Sequence, residues 1–251
     1  VLYTALICWV QKDIKKLIAY SSVSHLGFCV LGMWALNAEG ISGSIMYMIN
    51  HGLSTGALFL CVGMIYERFH TREMRLMSGL GKAMPVWSFF MVFFCLASVG
   101  LPGLNGFVGE FLCLLGAFRA DQVLGWEFAV AAGFGMIVAA IYILYMVGKV
   151  IFGPLKIPET HHDDQDASDH HGPAARDLNR REIITLVPLA IGCLVLGLYP
   201  MPVLRSLEPT IDSVVASFPE RIREVVYADP PEELAGRPYE LPELRRITSE
   251  D

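Results

Sequence analysis

Long apolar segments alternate with short polar ones along most of the chain. Five apolar segments reach the length of about 20 residues that a helix needs to cross a bilayer core. They span residues 17–37, 41–65, 86–118, 124–148 and 183–204, and a shorter apolar stretch at 1–10 indicates the end of a sixth helix. No strand-like alternation of polar and apolar residues is visible. The pattern therefore predicts an all-α membrane protein, a polytopic transmembrane helix bundle.

The segment at 86–118 is too long for one straight span, because a single helix of that length would reach about 50 Å. Its centre, from Gly100 to Gly109, contains four glycines and a proline, which do not sustain a regular helix. We predict a broken helix whose first half ends at about Val99 and whose second half begins near Phe107. The predicted hinge residues are Gly100, Pro102, Gly103, Gly106 and Gly109.

The domain organisation follows from the same pattern. Residues 1–204 form the predicted transmembrane bundle, interrupted by a polar loop at about 154–181, and residues 205–251 form a polar tail. Within the tail an amphipathic helix is expected at 208–226, with a single apolar face. The residues of that face are Ile211, Val214, Val215, Phe218 and Ile222. Because the chain opens on Val1 within apolar sequence, we interpret it as a piece cut on its N-terminal side.

Composition narrows the chemistry of this membrane protein. Only 18% of the residues are charged, and the net charge of −6 gives no sign of a nucleic-acid partner. The six cysteines lie in apolar segments without any CxxC spacing, so we interpret them as packing residues rather than zinc or iron–sulfur ligands. The loop at 161–171 is rich in His and Asp, and we favour a solvated linker there over a metal site. No catalytic, metal or cofactor site is predicted.

Basic residues are distributed unevenly among the polar segments. Twelve Lys and Arg residues lie in three alternate segments, at 11–16, 66–84 and 149–182, whereas the segments between them contain only Arg119. The positive-inside rule places the three basic segments in the cytoplasm. The C-terminal tail would then lie on the opposite side.

Three ionisable residues lie well inside the predicted spans: Glu110, His51 and His25. A charge at the bilayer centre costs at least about 2.5–3.5 kcal/mol, so such residues usually mark an ion path. Glu110 is the strongest candidate. We place it in the first turn of the second half-helix, where the helix dipole favours the carboxylate and burial favours the neutral acid. A carboxyl group under such opposed influences can titrate during function.

The two histidines are the accompanying candidates. His51 lies deep in its helix, beside Asn50, Ser54 and Thr55, which can form hydrogen bonds or hold water. His25 follows three serine hydroxyls and lies nearer to a helix end. Histidine can take up and release a proton through different ring nitrogens. Satisfied packing histidines, and a carboxylate that only caps the helix break, are the structural alternatives.

Several spaced motifs resemble one family. The segment from Asp13 to Phe28, DIKKLIAYSSVSHLGF, resembles the DIKR-L-AY-S-SH-G motif of the antiporter-like subunits of respiratory complex I. Met48–Ser54, together with the YER and HTR triplets that follow it, is similar to subunit M, called ND four in mitochondria. Gly100–Gly103 and Asn105–Glu110 resemble the broken twelfth helix of that subunit.

The resemblance implies a fold and a function. The fold would be the second half of an inverted-repeat antiporter-like subunit, and Glu110, His51 and His25 would lie on the family's central hydrophilic axis. The chain would translocate protons as a subunit of NADH–quinone oxidoreductase. NADH, FMN, iron–sulfur clusters and quinone would bind in other subunits, and the partners would be the L and N neighbours, in a cell inner (plasma) membrane. The loop at 161–171 and the long tail depart from the family pattern.

Two other functions remain open at this stage. The chain could belong to an Mrp-type cation/proton antiporter or a membrane-bound hydrogenase, although subunits L and N and the Mrp antiporters more often have lysine where this chain has Glu110. A purely structural membrane scaffold is the third reading, and a buried glutamate on a broken helix argues against it.

Overall fold

The computed structural model describes residues 1–120, 123–157 and 176–218. Within them the chain is helical, and its only β-type pairings are two isolated bridges. The helices are α1 (Leu2–Trp9), α2 (Ile14–Trp34), α3 (Ala38–Phe69), α4 (Leu80–Ala83), α5 (Pro85–Ser98), α6 (Asn105–Arg119), α7 (Trp126–Ile151), α8 (Arg180–Leu198) and α9 (Met201–Ala216). Four of them, α2, α3, α7 and α8, are long and apolar enough to cross a membrane.

Capping residues place the helix ends more sharply than the apolar pattern does. Helix α2 begins at Ile14, three residues before the apolar run, because the carboxylate of Asp13 accepts the backbone N–H groups of Lys15 and Lys16. Helix α8 ends at Leu198, earlier than the predicted limit of 204. Pro200 forces its predecessor out of the helical conformation.

The tail helix also differs from the prediction in its limits. Helix α9 begins at Met201 and ends at Ala216, whereas the amphipathic pattern suggested 208–226. Its buried residues are Ile211 and Val215, both members of the predicted face, and Val214 is exposed. Helix α9 packs against α3. The His- and Asp-rich loop at 161–171 and the tail beyond residue 218 lie outside the described residues.

The broken helix is confirmed, with different limits. Helix α5 ends at Ser98 and α6 begins at Asn105, two residues before the predicted start. Gly100 and Gly103 have φ values of +80° and +93°, a backbone conformation that side chains disfavour, so these two glycines make the break with Pro102 between them. Gly106 and Gly109 were wrongly assigned to the hinge, since both lie inside α6.

Glycines inside the helices instead allow close helix packing. A Cβ on Gly106 would collide with the Ala97 carbonyl. A Cβ on Gly109 would lie 2.6 Å from Cβ of Tyr47 on α3. Further along the same contact, Gly116 of α6 meets Gly40 of α3 backbone to backbone. Helices α3 and α6 therefore approach each other closely at these glycines, as small residues permit within membranes.

The three basic segments meet at one end of the bundle. Ile14 donates its backbone N–H to the Arg72 carbonyl, and Ser78 and Lys156 exchange two backbone hydrogen bonds. Arg68 forms a two-pronged ion pair with Glu182 of α8. Arg119 lies outside these three basic segments, at the end of α6. It forms an ion pair with Glu39 in the first turn of α3, just after the connection between α2 and α3.

Candidate functional site

The three ionisable residues predicted from the sequence lie close together in the interior of the bundle. His25 extends from α2, His51 from α3 and Glu110 from α6. Nδ1 of His25 lies 3.4 Å from Oε1 of Glu110, and both side chains are 1% exposed. The ring centroids of His25 and His51 are 5.6 Å apart. The structure thus places all three candidates in one cluster that draws on three helices.

Tyr47 joins His25 to Glu110 and was not predicted. Its hydroxyl donates a hydrogen bond to Oε1 of Glu110, and its oxygen lies 2.7 Å from Nδ1 of His25. Tyr47 precedes His51 by four residues on α3, and side chains with this spacing share a helix face. That spacing is the signal by which the sequence could have identified it.

The hydrogen bonds of Tyr47 define where the protons lie. Its single hydroxyl proton is directed to Glu110. The 2.7 Å contact with Nδ1 of His25 then requires the proton on Nδ1, with the tyrosine oxygen as acceptor. We assign this tautomer from the network. In this tautomer the unprotonated nitrogen is Nε2, which lies 3.5 Å from the hydroxyl oxygen of Tyr142 on α7.

Glu110 occupies a different local position from the predicted one. It is the sixth residue of α6, and no acidic residue lies in the first turn of that helix. The influence of a helix dipole decays within the first turn, so the dipole argument for Glu110 was wrong. The reason is that α6 begins earlier than the glycine pattern suggested. The hydrogen bond from Tyr47 and the nearby imidazole of His25 are what allow this carboxyl group to be buried.

The second carboxyl oxygen of Glu110 faces the helix break. Oε2 is buried and has no hydrogen-bond partner among the described residues. A Cβ on Gly100 would collide with this atom, so the glycine leaves it the space it occupies. Buried polar groups without protein partners are commonly satisfied by water. Among the described residues, Oε2 is thus the carboxyl oxygen of Glu110 that faces the break without a protein partner.

The break is held against α3 by an asparagine pair. Nδ2 of Asn50 donates to the Asn105 carbonyl at 2.7 Å, and Nδ2 of Asn105 donates to the Asn50 carbonyl at 3.0 Å. Both side chains are completely buried. Asn50 lies about one turn after Tyr47 on α3, and it holds Asn105, the first residue of α6. The pair therefore sets the position of Glu110 along α3.

The histidine environments differ from those expected. Of the three predicted neighbours of His51 only Thr55 contacts it, at 3.2 Å, whereas Asn50 bonds to Asn105 and Ser54 to a backbone carbonyl. His51 is only partly buried. The serine hydroxyls near His25 all donate to backbone carbonyls. His25 is fully enclosed by protein, and as the twelfth of the 21 residues of α2 it lies at the middle of the helix rather than nearer to an end.

The described residues contain no group of three His, Cys, Asp or Glu side chains suited to a metal ion. All six cysteines are free and buried. The available chemistry of the cluster is proton exchange among a carboxyl, a phenol and two imidazoles.

Comparisons with known proteins agree with this architecture. The family model described as NADH:quinone oxidoreductase/Mrp antiporter, TM, matches residues 1–145. The chain is 42% identical over 218 residues to the NADH-quinone oxidoreductase subunit M of Rhodobacter capsulatus, covering 87% of this chain and 40% of that protein. It is 40% identical over 215 residues to the NADH-ubiquinone oxidoreductase chain 4 of Marchantia polymorpha, covering 86% of this chain and 40% of that protein. The chain thus spans less than half the length of these relatives.

Solved structures show the same fold. A chain of respiratory complex I from Thermus thermophilus with bound NADH superposes with a TM-score of 0.72 at 32% identity, covering 86% of this chain and 42% of that one. A chain of the Mrp complex from Dietzia sp. DQ12-45-1b superposes equally well, with a TM-score of 0.72, 21% identity and coverage of 90% and 47%. At that identity the second likeness concerns the fold alone. With the motifs and the family match in agreement, the chain belongs to the NADH:quinone oxidoreductase/Mrp antiporter transmembrane family.

Proposed function

We propose that this chain transfers protons across the membrane as part of an NADH–quinone oxidoreductase, driven by quinone reduction in other subunits. The observation that supports the proposal is the buried hydrogen-bonded series Glu110–Tyr47–His25. A carboxyl group enclosed in a bundle and linked to an imidazole by a phenol can change its protonation state without a bulk-water contact on that side.

The transfer is a concerted shift along the series. As His25 gains a proton at Nε2, it passes its Nδ1 proton to the oxygen of Tyr47, and Tyr47 passes its own hydroxyl proton to Oε1 of Glu110. Glu110 becomes neutral, Tyr47 keeps one proton, and His25 stays neutral with its proton on Nε2. Glu110 then releases its proton toward the break, and the starting arrangement returns once the Tyr47 hydroxyl has rotated back and the ring proton of His25 has moved from Nε2 to Nδ1. His51, partly exposed and near His25, is suited to exchange protons with water beside the series.

The partners and location belong to the same proposal. NADH, FMN, iron–sulfur clusters and quinone are held by other subunits, and the neighbours of this chain in the membrane are the antiporter-like L and N subunits. No nucleic acid is involved. The membrane is the cell inner membrane, with the basic segments at 11–16, 66–84 and 149–182 in the cytoplasm and the C-terminal tail on the other side.

Glu110→Gln tests the proposal, because the amide keeps the shape of the side chain but cannot ionise. In the assembled complex this change should strongly lower proton pumping and coupled NADH–quinone turnover, with assembly retained. Glu110→Asp should keep part of the activity, and His51→Ala should be milder than Glu110→Gln, since water can replace the imidazole. The matched control is Glu127→Gln on the exposed first turn of α7, which should leave pumping unchanged.

The structural alternative gives the reverse pattern. A glutamate that only supports the helix break would show failed assembly in Glu110→Ala and near-normal activity in Glu110→Gln. Full pumping by a correctly assembled Glu110→Gln complex would remove this residue from the proton path.

A cation/proton antiporter subunit is the second candidate. It is favoured by the Mrp-like fold and by a family description that names both systems. Membrane vesicles containing the complete complex would show Na⁺-dependent proton exchange without NADH if this candidate were right. Against it are the names of three relatives at 40–42% identity, which are NADH-quinone oxidoreductase subunit M in two bacteria and NADH-ubiquinone oxidoreductase chain 4 in Marchantia polymorpha.

A further inference from the structure

We infer that Arg68, in the last turn of α3, is a positioning residue for the helix break. It holds the segment at 176–182, which in turn holds α5, the first half of the broken helix. The position of α5 then sets the contact between Gly100 and the carboxyl group of Glu110. This positioning role rests on the proposed function and extends it from the buried cluster to a residue that keeps the geometry of the cluster.

All three nitrogens of the Arg68 guanidinium donate hydrogen bonds to protein atoms. Nη1 and Nη2 contact the two carboxyl oxygens of Glu182 at 2.8 and 2.7 Å, and these side chains are only 18% and 13% exposed. Nε donates to the Arg176 carbonyl at 2.8 Å, and Nη2 also donates to the Asp177 carbonyl at 3.3 Å. A planar fork of donors fixes its acceptors in a way that the single ammonium of lysine does not. Arg68 therefore ties the segment at 176–182 to α3.

The same segment holds the start of α5. The carboxylate of Asp177 accepts the backbone N–H groups of Val86 and Trp87, in the first turn of that helix, at 2.7 and 3.0 Å. Met84, the residue that precedes α5, offers no side-chain cap of its own. Arg68 binds the backbone carbonyl of the residue whose carboxylate caps α5. A shift of α5 along its axis would therefore break this cap or displace the guanidinium.

Helix α5 connects this end of the bundle to the buried cluster. It has 14 residues, which corresponds to a length of about 21 Å. Gly100 follows its last turn, and a Cβ on Gly100 would collide with Oε2 of Glu110. A Cβ on Gly106 of α6 would lie 3.3 Å from the Cα and N atoms of Gly100, so the backbone of α6 is also close at this point. An axial shift of α5 would therefore open or close the space around Oε2.

The carbonyl of protonated Glu110 can report on that space. In the proposed transfer Tyr47 gives its proton to Oε1, so the neutral acid has its C=O group at Oε2. Oε2 has no hydrogen-bond partner among the described residues. If α5 moves away, water can approach Oε2 and donate to it. A hydrogen bond to a carbonyl weakens the C=O bond, so the infrared band of Glu110 should move to lower frequency.

A direct contact between α5 and α3 is the competing explanation for the position of α5. The indole Nε1 of Trp87 donates to the Cys61 carbonyl at 2.9 Å. If this bond and the packing around it alone hold α5, Arg68 merely stabilises the segment at 176–182. Loss of Arg68 would then lower the melting temperature and leave the carbonyl band of Glu110 where it is. The two explanations therefore differ in the frequency of that band.

The experiment uses the complete complex in lipid vesicles. The carbonyl band of protonated Glu110, identified by its loss in Glu110→Gln, is measured in acidic buffer. Arg68→Gln keeps a polar side chain but loses the charge and the planar fork. In the assembled complex it should move the band to lower frequency and lower proton pumping by about tenfold. Arg75→Gln, at an exposed position of the same basic segment, is the matched control and should leave the band and the pumping unchanged.

Two further variants test the link between Arg68 and α5. Glu182→Gln keeps the capping box of α8, because glutamine can replace glutamate there, but weakens the ion pair and should give a smaller shift of the band. Asp177→Ala deletes the cap of α5 and should give the same shift as Arg68→Gln. The double variant should shift the band no further, because both changes break one link. Asp177→Ala and Glu182→Gln decide the matter if Arg68→Gln fails to assemble.

Each outcome separates the positioning role from the proposed function. An unchanged band in assembled Arg68→Gln and Asp177→Ala would overturn the positioning role and leave the proposed function intact. Additive shifts in the double variant would also overturn it, since the two residues would then act separately. A shifted band in Arg68→Gln together with full pumping by Glu110→Gln would overturn the proposed function alone. A complex without a Glu110 band at any pH would overturn both.

Discussion

Nδ1 of His25 lies 3.4 Å from Oε1 of Glu110, and the hydroxyl of Tyr47 contacts both atoms. The direct separation is beyond the usual range of an N–H···O hydrogen bond. The hydroxyl of Tyr47 therefore connects the imidazole to the carboxyl group, because the two groups are too far apart for a direct hydrogen bond.

Removal of that hydroxyl should disconnect the two groups. Tyr47→Phe keeps the ring and loses one oxygen, so the complex should assemble while coupled turnover and pumping fall by about tenfold to a hundredfold. Tyr20→Phe is the control, since Tyr20 is 40% exposed on α2. Pumping at the wild-type level in Tyr47→Phe would show that protons reach Glu110 by another connection.

The sequence located the ionisable residues of this site but not its tyrosines, and the reason is physical. Charged and imidazole groups are costly in lipid, so their presence in an apolar span is informative by itself. Tyrosine is tolerated both in the interior and toward lipid headgroups. Tyr47 and Tyr142 are buried and Tyr20 and Tyr145 are exposed, yet all four lie in similar apolar surroundings in the sequence.

The spans themselves were predictable because the bilayer imposes a length on them, and each predicted run overlaps a helix or the broken pair α5–α6. Their ends were less predictable, since caps set them. The position of Glu110 depended on such an end: the glycines suggested a start near Phe107, but Asn105 is held by Asn50, a contact between residues 55 positions apart. No local pattern encodes that pairing.

The close approach of α3 and α6 should be sensitive to a single methyl group. Gly109→Ala would place a Cβ 2.6 Å from Tyr47 Cβ and 2.7 Å from its Cα, and such overpacking costs about 1–3 kcal/mol. Less complex should assemble, and its apparent melting temperature should fall. Gly63→Ala on α3 meets open space in the described structure and should be neutral or slightly stabilising. Equal behaviour of the two variants would contradict the backbone contact.

Asp177 should act as a cap supplied from outside the helix it stabilises. Its carboxylate accepts the backbone N–H groups of Val86 and Trp87, in the first turn of α5, at 2.7 and 3.0 Å. Asp177→Ala should therefore cost about 0.5–2 kcal/mol, the usual loss on deleting such a cap. Thermal unfolding of the purified complex would measure it. Asp212→Ala, at an exposed site on α9, is the control, and an identical melting temperature for both variants would argue against the cap.

Membrane orientation can be tested with one cysteine on each side. The positive-inside rule predicts that Arg75→Cys, in the basic segment at 66–84, is cytoplasmic and that Glu127→Cys, at the start of α7, is on the opposite face. Both positions are exposed and the native cysteines are buried, so background labelling should be low. An impermeant maleimide applied from outside intact cells should label only Glu127→Cys. Rapid labelling of Arg75→Cys would invert the topology.

The glycine contacts between α3 and α6 have a consequence for motion within the bundle. The two helices meet backbone to backbone at Gly40 and Gly116 and share the Asn50–Asn105 pair, which leaves them little room to slide past each other. We therefore expect Tyr47 and Glu110 to move together. His25 lies on α2, so a small rotation of that helix would separate the imidazole from Tyr47 while the Tyr47–Glu110 contact persists. The imidazole, rather than the carboxyl group, would then make and break the connection.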